Sequence, residues 1–321
     1  MKIGSCEIGR SLSLAPMAGY SDRGMRRLCY EHGADYSVSE MISAKAVVFG
    51  DKKTFALSEY KREDGPIGLQ IFGSEPNVLA EAARILTERT AAMPPLFIDV
   101  NMGCPVHKIF SNGEGSALMK DPLKIETIVS AITKNTSLPV TVKIRKGVDN
   151  NSVNAVDCAL AAEAGGASMV CVHGRTRVQM YGGYSDRKII EKVKSCLHIP
   201  VIANGDVVDS DSALSLLADT GADGIAIGRG AVGNPFIFEE IKAAIEKREY
   251  LAPSVRKRAE IALLQLKYAI EDKGERLAVT EARKQIALYL KGFKGASSIR
   301  GAINSALTYK EVEEIIYNAI E

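Results

Sequence analysis

The run from Asp99 to Lys108, DVNMGCPVHK, sets a cysteine between a glycine and a proline, just past an apolar stretch that reads as a buried strand. Such a thiol could be filler, a metal ligand, a nucleophile or an acid. A free cysteine has a pKa near about 8.5, so at neutral pH most of Cys104 is protonated and can give up a proton. A nucleophile needs activation; His107 follows three residues on, but no further member of a triad is evident in the neighbouring sequence. A metal role lacks companion ligands: Cys6, Cys29, Cys104, Cys158, Cys171 and Cys196 form no C-x-x-C pair, which also argues against a disulfide framework. The other five suit the role of small hydrophobes.

Two glycine-bearing runs speak to phosphate. Asn204-Gly205-Asp206 and GRGAVGNP, from Gly228 to Pro235, let backbone N–H groups approach an anion, with Arg229 as a charged partner. Residues 228–233 also match G-x-G-x-x-G, but that fingerprint should open a βαβ unit and no strand pattern follows here. The plainer alternative is that these glycines only permit tight turns. Lys143 lies between Val142 and Ile144, and Gln70 between Leu69 and Ile71, so each points away from its apolar neighbours. A lysine inside a core is costly without a polar or anionic partner, and a bound ring bearing carbonyls and developing negative charge would serve. A buried glutamine amide may instead simply bond backbone. His173 ends an apolar run beside GRTR, a place suited to a ligand or phosphate contact. His107 is expected in a solvated loop, and His32 and His198 are given no role.

These residues need a scaffold. Eight apolar or alternating runs begin near residues 12, 34, 66, 96, 139, 167, 200 and 222, with room for a helix between each pair. Stretches such as SEPNVLAEAARILTER and DPLKIETIVSAITKN open with a capping residue and a proline in the first turn. Eight strand and helix alternations imply parallel strands closed into a (β/α)8 TIM barrel, an open doubly wound sheet being the competing arrangement. Active sites of such barrels lie at the C-terminal strand ends, where Pro16, Met17, Ala18, Gln70, Asn101, Cys104, Lys143, His173, Arg175, Asn204, Gly205, Asp206, Gly228, Arg229 and Gly230 fall. After about residue 248 the patterns are helical only. The expected organisation is therefore an α/β barrel domain over 1–247 and a small all-helical domain over 248–321.

The formal net charge of +2 hides an asymmetry. Residues 1–247 carry 28 Lys and Arg against 29 Asp and Glu, whereas 248–310 carry 13 against 6, so an anionic partner is expected at the C-terminal end. No apolar stretch is long enough to span a bilayer and the start lacks a signal-peptide core, which makes the cytoplasm the expected compartment.

The segments APMAGYSD, SEM, DVNMGCPVHKIFSNGEGSALM, VKIR, VHGRTRVQMYGG, VIANGD and IGRGAVGNPFIF resemble, in order, the motifs of the tRNA-dihydrouridine synthases, most of all the bacterial B-type branch. That resemblance implies an FMN on top of the barrel, NADPH as its transient reductant, and reduction of the C5–C6 bond of selected uridines in tRNA. Matched motif by motif, it assigns FMN contacts to Pro16, Met17, Ala18, Gln70, Lys143, His173, Asn204, Gly205, Asp206, Gly228 and Arg229. It makes Cys104 the donor of the proton to C5. Asn101 would orient the uridine, and Arg175, Arg283, Lys284, Lys291, Lys294 and Arg300 would meet RNA, the lysines at 284, 291 and 294 along one side of a helix. No metal, membrane or obligate protein partner is expected. Two segments depart from the family pattern: R-K-H followed by W-Y is here Arg283, Lys284, Gln285 and Leu288-Tyr289, and A-D-W becomes Ser185, Asp186 and Arg187 after Tyr184. These changes fall on substrate contacts and leave the FMN set intact. The competing functions are the same chemistry on ribosomal RNA, an FMN barrel reductase of a small molecule, and an RNA-binding protein without catalysis.

Overall fold

In a computed structural model of the chain, residues 1–4, 6–8, 11–292 and 296–320 are described. Parallel strands β1 (Leu12–Leu14), β2 (Tyr36–Val38), β3 (Ile67–Phe72), β4 (Phe97–Met102), β5 (Val140–Arg145), β6 (Met169–His173), β7 (Val201–Asn204) and β8 (Gly224–Ile227) pair in chain order. β8 pairs back onto β1, so the ring is closed. Each strand leads to a helix: α1 (Arg23–Glu31), α2 (Ala44–Val48), α3 (Pro76–Arg89), α4 (Pro122–Thr133), α5 (Ala155–Ala164), α6 (Arg187–Cys196), α7 (Ser210–Thr220) and α8 (Ile237–Ile245). The open-sheet alternative is excluded, and every strand begins within two residues of its expected start. Of the two helix starts read from sequence, that of α4 is capped, Asp121 accepting from the Lys124 N–H, whereas Glu75 makes no side-chain cap for α3 and leaves Pro76 to mark the first turn.

Period-two alternation decides which side chains enter the barrel. Ile98, Val100 and Met102 of β4, with Val140, Val142 and Ile144 of β5, pack outward beneath the helices. Their alternates, Phe97, Asp99 and Asn101 and then Thr141, Lys143 and Arg145, face inward. The floor of the ring is apolar: Phe97 meets Tyr36 edge-on at 5.6 Å and joins Met169, Cys171, Ile202 and Ala226. Gly68 makes room for it, since a Cβ there would lie 2.0 Å from the Phe97 ring. Ile3 and Ile8, beside the N-terminal pairing of Lys2–Ile3 with Cys6–Glu7, extend this apolar cluster. Full burial of each such large side chain is worth about 1.5–3 kcal/mol, so the floor carries stability and the upper layers are left for polar groups.

Beyond α8 come α9 (Val255–Lys273), α10 (Glu275–Tyr289), α11 (Ala296–Ser305) and α12 (Tyr309–Ile320). Their apolar core, with Leu266, Ile286, Tyr289, Ile303 and Ile316, also takes in Leu28 of α1 and Phe236. Buried polar atoms there pair internally, Tyr289 Oη donating to Gln265 Oε1 at 2.6 Å and Gln265 Nε2 to Gln285 Oε1 at 2.7 Å. Ion pairs Arg23–Asp272 and Lys273–Asp22 tie α9 to α1 and its cap. Among the described residues no helix is long and apolar enough to cross a membrane.

Candidate active site

A cavity of about 1090 Å³ opens at the C-terminal ends of the strands. Pro16, Met17, Ala18, Gln70, Asn101, Cys104, Lys143, His173, Asn204, Gly205, Asp206, Gly228 and Arg229 all line it. The chain thus gathers into one space residues that lie more than two hundred positions apart in sequence.

The loops after β7 and β8 form its glycine-rich side. Gly205 has φ +132°, and a Cβ on it would come within 2.4 Å of Ser185 Oγ. A Cβ on Gly230 would lie 2.1 Å from the Val207 carbonyl oxygen, so the two loops approach backbone to backbone. Asp206, itself left-handed at φ +57°, accepts from Arg175 Nη2 and the Ser185 N–H, each at 2.7 Å. Burial alone would raise its pKa, but the Ser185 N–H and Arg175 outweigh this and hold the carboxylate below its ordinary value. Arg229 lies over the Tyr181 ring at 4.7 Å and 3.9 Å from Asp206, exposed at the mouth. Closely packed glycine loops with a guanidinium beside them fit a phosphate.

Deeper in, Lys143 Nζ donates to Asn204 Oδ1 at 2.9 Å, and Asn204 Nδ2 donates to the Ala226 carbonyl. Burial lowers the Lys143 pKa. His173 is buried as well, and burial with the fields of Lys143, Arg145, Arg175 and Arg229 pushes it down to about 2. It is a neutral imidazole that can bond a ligand but adds no charge.

Cys104 lies in the turn after β4, its thiol buried yet lining the cavity. Asn101 Oδ1 accepts from the Gly103 and Cys104 N–H groups at 3.2 and 2.9 Å, and the Cys104 carbonyl accepts from Ser116 Oγ at 2.7 Å. Burial raises the thiol pKa against the opposing pull of the Val106 N–H and Arg145, so Cys104 keeps its proton at neutral pH. A protonated thiol facing the cavity from a firmly held turn has a proton to give. His107 opens a short helix, His107–Ser111, and shares its Nδ1 with Ser111 Oγ, so it is not the loop residue that the sequence suggested. Among the described residues no cluster of His, Cys, Asp and Glu could hold a metal ion.

The family model described as dihydrouridine synthase matches residues 13–320, the barrel strands and the C-terminal helices alike. The chain belongs to the dihydrouridine synthase family. It is 39% identical over 306 residues to a probable tRNA-dihydrouridine synthase of Rickettsia conorii, covering 95% of this chain and 91% of that protein. It is 36% identical to the tRNA-dihydrouridine synthase B of Pasteurella multocida, with 97% and 93% covered, and 38% identical to that of Vibrio parahaemolyticus, with 95% and 94% covered. The resemblance read from the motifs is borne out, and the family is one of oxidoreductases. Among solved structures, a 2-naphthoyl-CoA reductase in complex with 2-naphthoyl-CoA aligns with TM-score 0.57 over 77% of this chain. The chain spans about half (52%) of that structure at 12% identity, a likeness of fold alone.

The expected RNA contacts of this dihydrouridine synthase scatter. Arg175 is buried and spends its guanidinium on the Gly182 and Gly183 carbonyls and on Asp206, so it braces the loop after β6 and does not line the cavity. Arg283 donates to the Ala306 carbonyl just past α11. Lys284 does reach the mouth, its Nζ 4.4 Å from the centre of the Tyr20 ring, and Lys291 lines the cavity. The helix expected to carry both ends at Tyr289, so Lys291 lies past it, before Gly292 at φ +85°. Arg300 is exposed on α11, and Lys294 lies outside the described residues. Asn101 uses its amide on Gln70 and its carbonyl on the Cys104 turn, which makes it a brace for the thiol.

Arg145 was missed. It is buried two residues beyond Lys143 on the same inward face, donates to the Gly103, Thr176 and Met180 carbonyls, and lies in the field of Cys104. Burial pushes it down to about 10, still cationic at neutral pH. The same alternation that picked out Lys143 could have found it. Tyr250 and Arg258, which also line the cavity, carried no signal of their own.

Proposed function

We propose that the chain is an FMN-dependent, NAD(P)H-driven synthase that reduces the C5–C6 bond of uridines in tRNA to dihydrouridine. The observation that carries the reading is that a protonated Cys104, a half-buried Lys143 and the glycine loops after β7 and β8 share one cavity. The residues present fit FMN: Gly205, Asp206, Gly228 and Arg229 would take its phosphate, Pro16, Met17 and Ala18 would lie along the ring, and Gln70, Lys143 and His173 would bond its polar edge. FMN reduced by NADPH supplies the hydride that adds to uracil C6. Cys104 gives its proton to C5, and the Arg145 guanidinium stabilises the thiolate left behind until solvent reprotonates it. The uridine must first leave its stack, because nothing inside a folded RNA reaches the cavity. The helical segment from residue 248 onward serves as the RNA-holding domain, with Lys284, Lys291 and Arg300 meeting phosphates in the cytoplasm.

Purified protein given FMN, NADPH and an unmodified tRNA transcript should form dihydrouridine. Cys104→Ala should slow turnover by about 10²–10⁴-fold with flavin still bound. Unchanged turnover would remove Cys104 from the chemistry.

A further inference from the structure

We infer that Asp99, a residue outside the cavity lining, is the positioning residue that anchors the far end of a hydrogen-bond chain reaching the Cys104 turn. The inference rests on the reading of Cys104 as the acid. Asp99 lies on β4 with its Cα paired to Gln70 on β3 and to Thr141 on β5, and all three are buried in one layer of the barrel. Each carboxylate oxygen meets one donor: Oδ2 accepts from Gln70 Nε2 at 2.7 Å, and Oδ1 from Thr141 Oγ1 at 2.6 Å. Burial raises the Asp99 pKa against the pull of its Gln70 and Thr141 hydrogen bonds and of Lys143, and a carboxyl oxygen accepts in either protonation state, so Gln70 turns its Nε2 toward Asp99 and its Oε1 away. That Oε1 accepts from Asn101 Nδ2 at 2.8 Å. Asn101 in turn has only its Oδ1 left for the turn, where it takes the Gly103 and Cys104 N–H groups. Gln70 is further pinned by its own N–H, which donates to Ser39 Oγ at 3.0 Å.

The chain is held at both ends: the Gly103 and Cys104 N–H groups can only donate, the Asp99 carboxyl accepts from Gln70, and the two amides between them have one consistent polarity. A buried carboxyl with no ion pair in contact is expensive filler, since an aliphatic side chain would fill the same layer without the desolvation cost. What Asp99 supplies is a fixed acceptor for Gln70 Nε2. Leucine at 99 leaves Gln70 Nε2 buried without an acceptor. Gln70 then holds Asn101 Nδ2 less firmly, and the Asn101 Oδ1 that takes the two N–H groups of the Cys104 turn loosens with it. Asparagine at 99 keeps the polarity, with Oδ1 toward Gln70 and Nδ2 toward Thr141 Oγ1, whose hydroxyl rotates to accept. The two substitutions thus separate the acceptor from the ionisable group.

The test is site-resolved alkylation by iodoacetamide, quantified by peptide mass spectrometry over about pH 7–10, where thiols titrate. Asp99→Leu should shift the Cys104 rate by about five-fold, the worth of one net hydrogen bond, and Asp99→Asn by no more than about two-fold. The exposed Cys196 should react alike in all three proteins. In single-turnover oxidation of the reduced enzyme by RNA, Asp99→Leu should also raise the solvent deuterium isotope effect, and Asp99→Asn should not. Should Asp99→Leu fail to fold, Gln70→Met breaks the same chain one link higher and should alter Cys104 in the same way. The inference is overturned if the folded leucine or methionine variant leaves Cys104 reactivity unchanged, or if asparagine and leucine at 99 act alike. Failure of the underlying reading looks different: Cys104→Ala would then turn over normally, whatever the alkylation rates.

Discussion

His173 meets four cations without becoming one. Burial, then Lys143, Arg145, Arg175 and Arg229, push its pKa down to about 2, against about 6.5 for an unfolded histidine. With the folded value depressed, the stability it contributes is fully present above about pH 6.5 and is lost as the pH falls, because only the unfolded chain takes up the proton. Urea unfolding of the flavin-free protein at pH 7 and pH 5 should therefore show a His173→Asn variant gaining about 2 kcal/mol relative to the parent across that interval. A constant difference between the two proteins would show that the imidazole is not held neutral. Lys143 and Gln70 were legible because a polar side chain amid apolar alternation has few destinations, and Cys104 because it stands between a glycine and a proline just past a strand. Asp99 and Arg145 obey the same alternation but lie next to more conspicuous residues, and nothing in a sequence says that Arg175 will use its donors on backbone carbonyls.

Strands and their order were legible because each pairs with its chain neighbour and carries its own punctuation. The C-terminal helices were less so. Lys284 and Lys291 are seven residues apart, a helical spacing, yet α10 stops at Tyr289 and both still reach the mouth. Arg283, next to Lys284, spends its guanidinium on the Ala306 carbonyl. Adjacent basic residues therefore have separable jobs. In filter-binding titrations of tRNA over a salt series, replacing Lys284 and Lys291 by alanine should lower the slope of log K against log salt by about 2. Arg283→Ala should instead lower stability with the slope intact. An unchanged slope for the double lysine variant would place the RNA elsewhere.

At the scale of the molecule, the cavity belongs to both halves of the chain. Barrel strand ends supply its floor and glycine loops, while Tyr250, Pro253, Arg258, Leu288 and Lys291 wall it from the C-terminal side. The charge asymmetry pointed to that side, but composition gives no distances, so the shared wall was not legible. A substrate that fills this cavity meets Arg258 and Lys291 of the C-terminal side and the Cys104 turn together. The account is tested most directly by mapping dihydrouridine, position by position, in tRNA and ribosomal RNA from a strain lacking this gene and from the same strain carrying the wild-type or Cys104→Ala form. Specific tRNA positions should revert to uridine on deletion and regain dihydrouridine with the wild type alone. An RNA pattern that deletion leaves unchanged, or that Cys104→Ala restores in full, would contradict it.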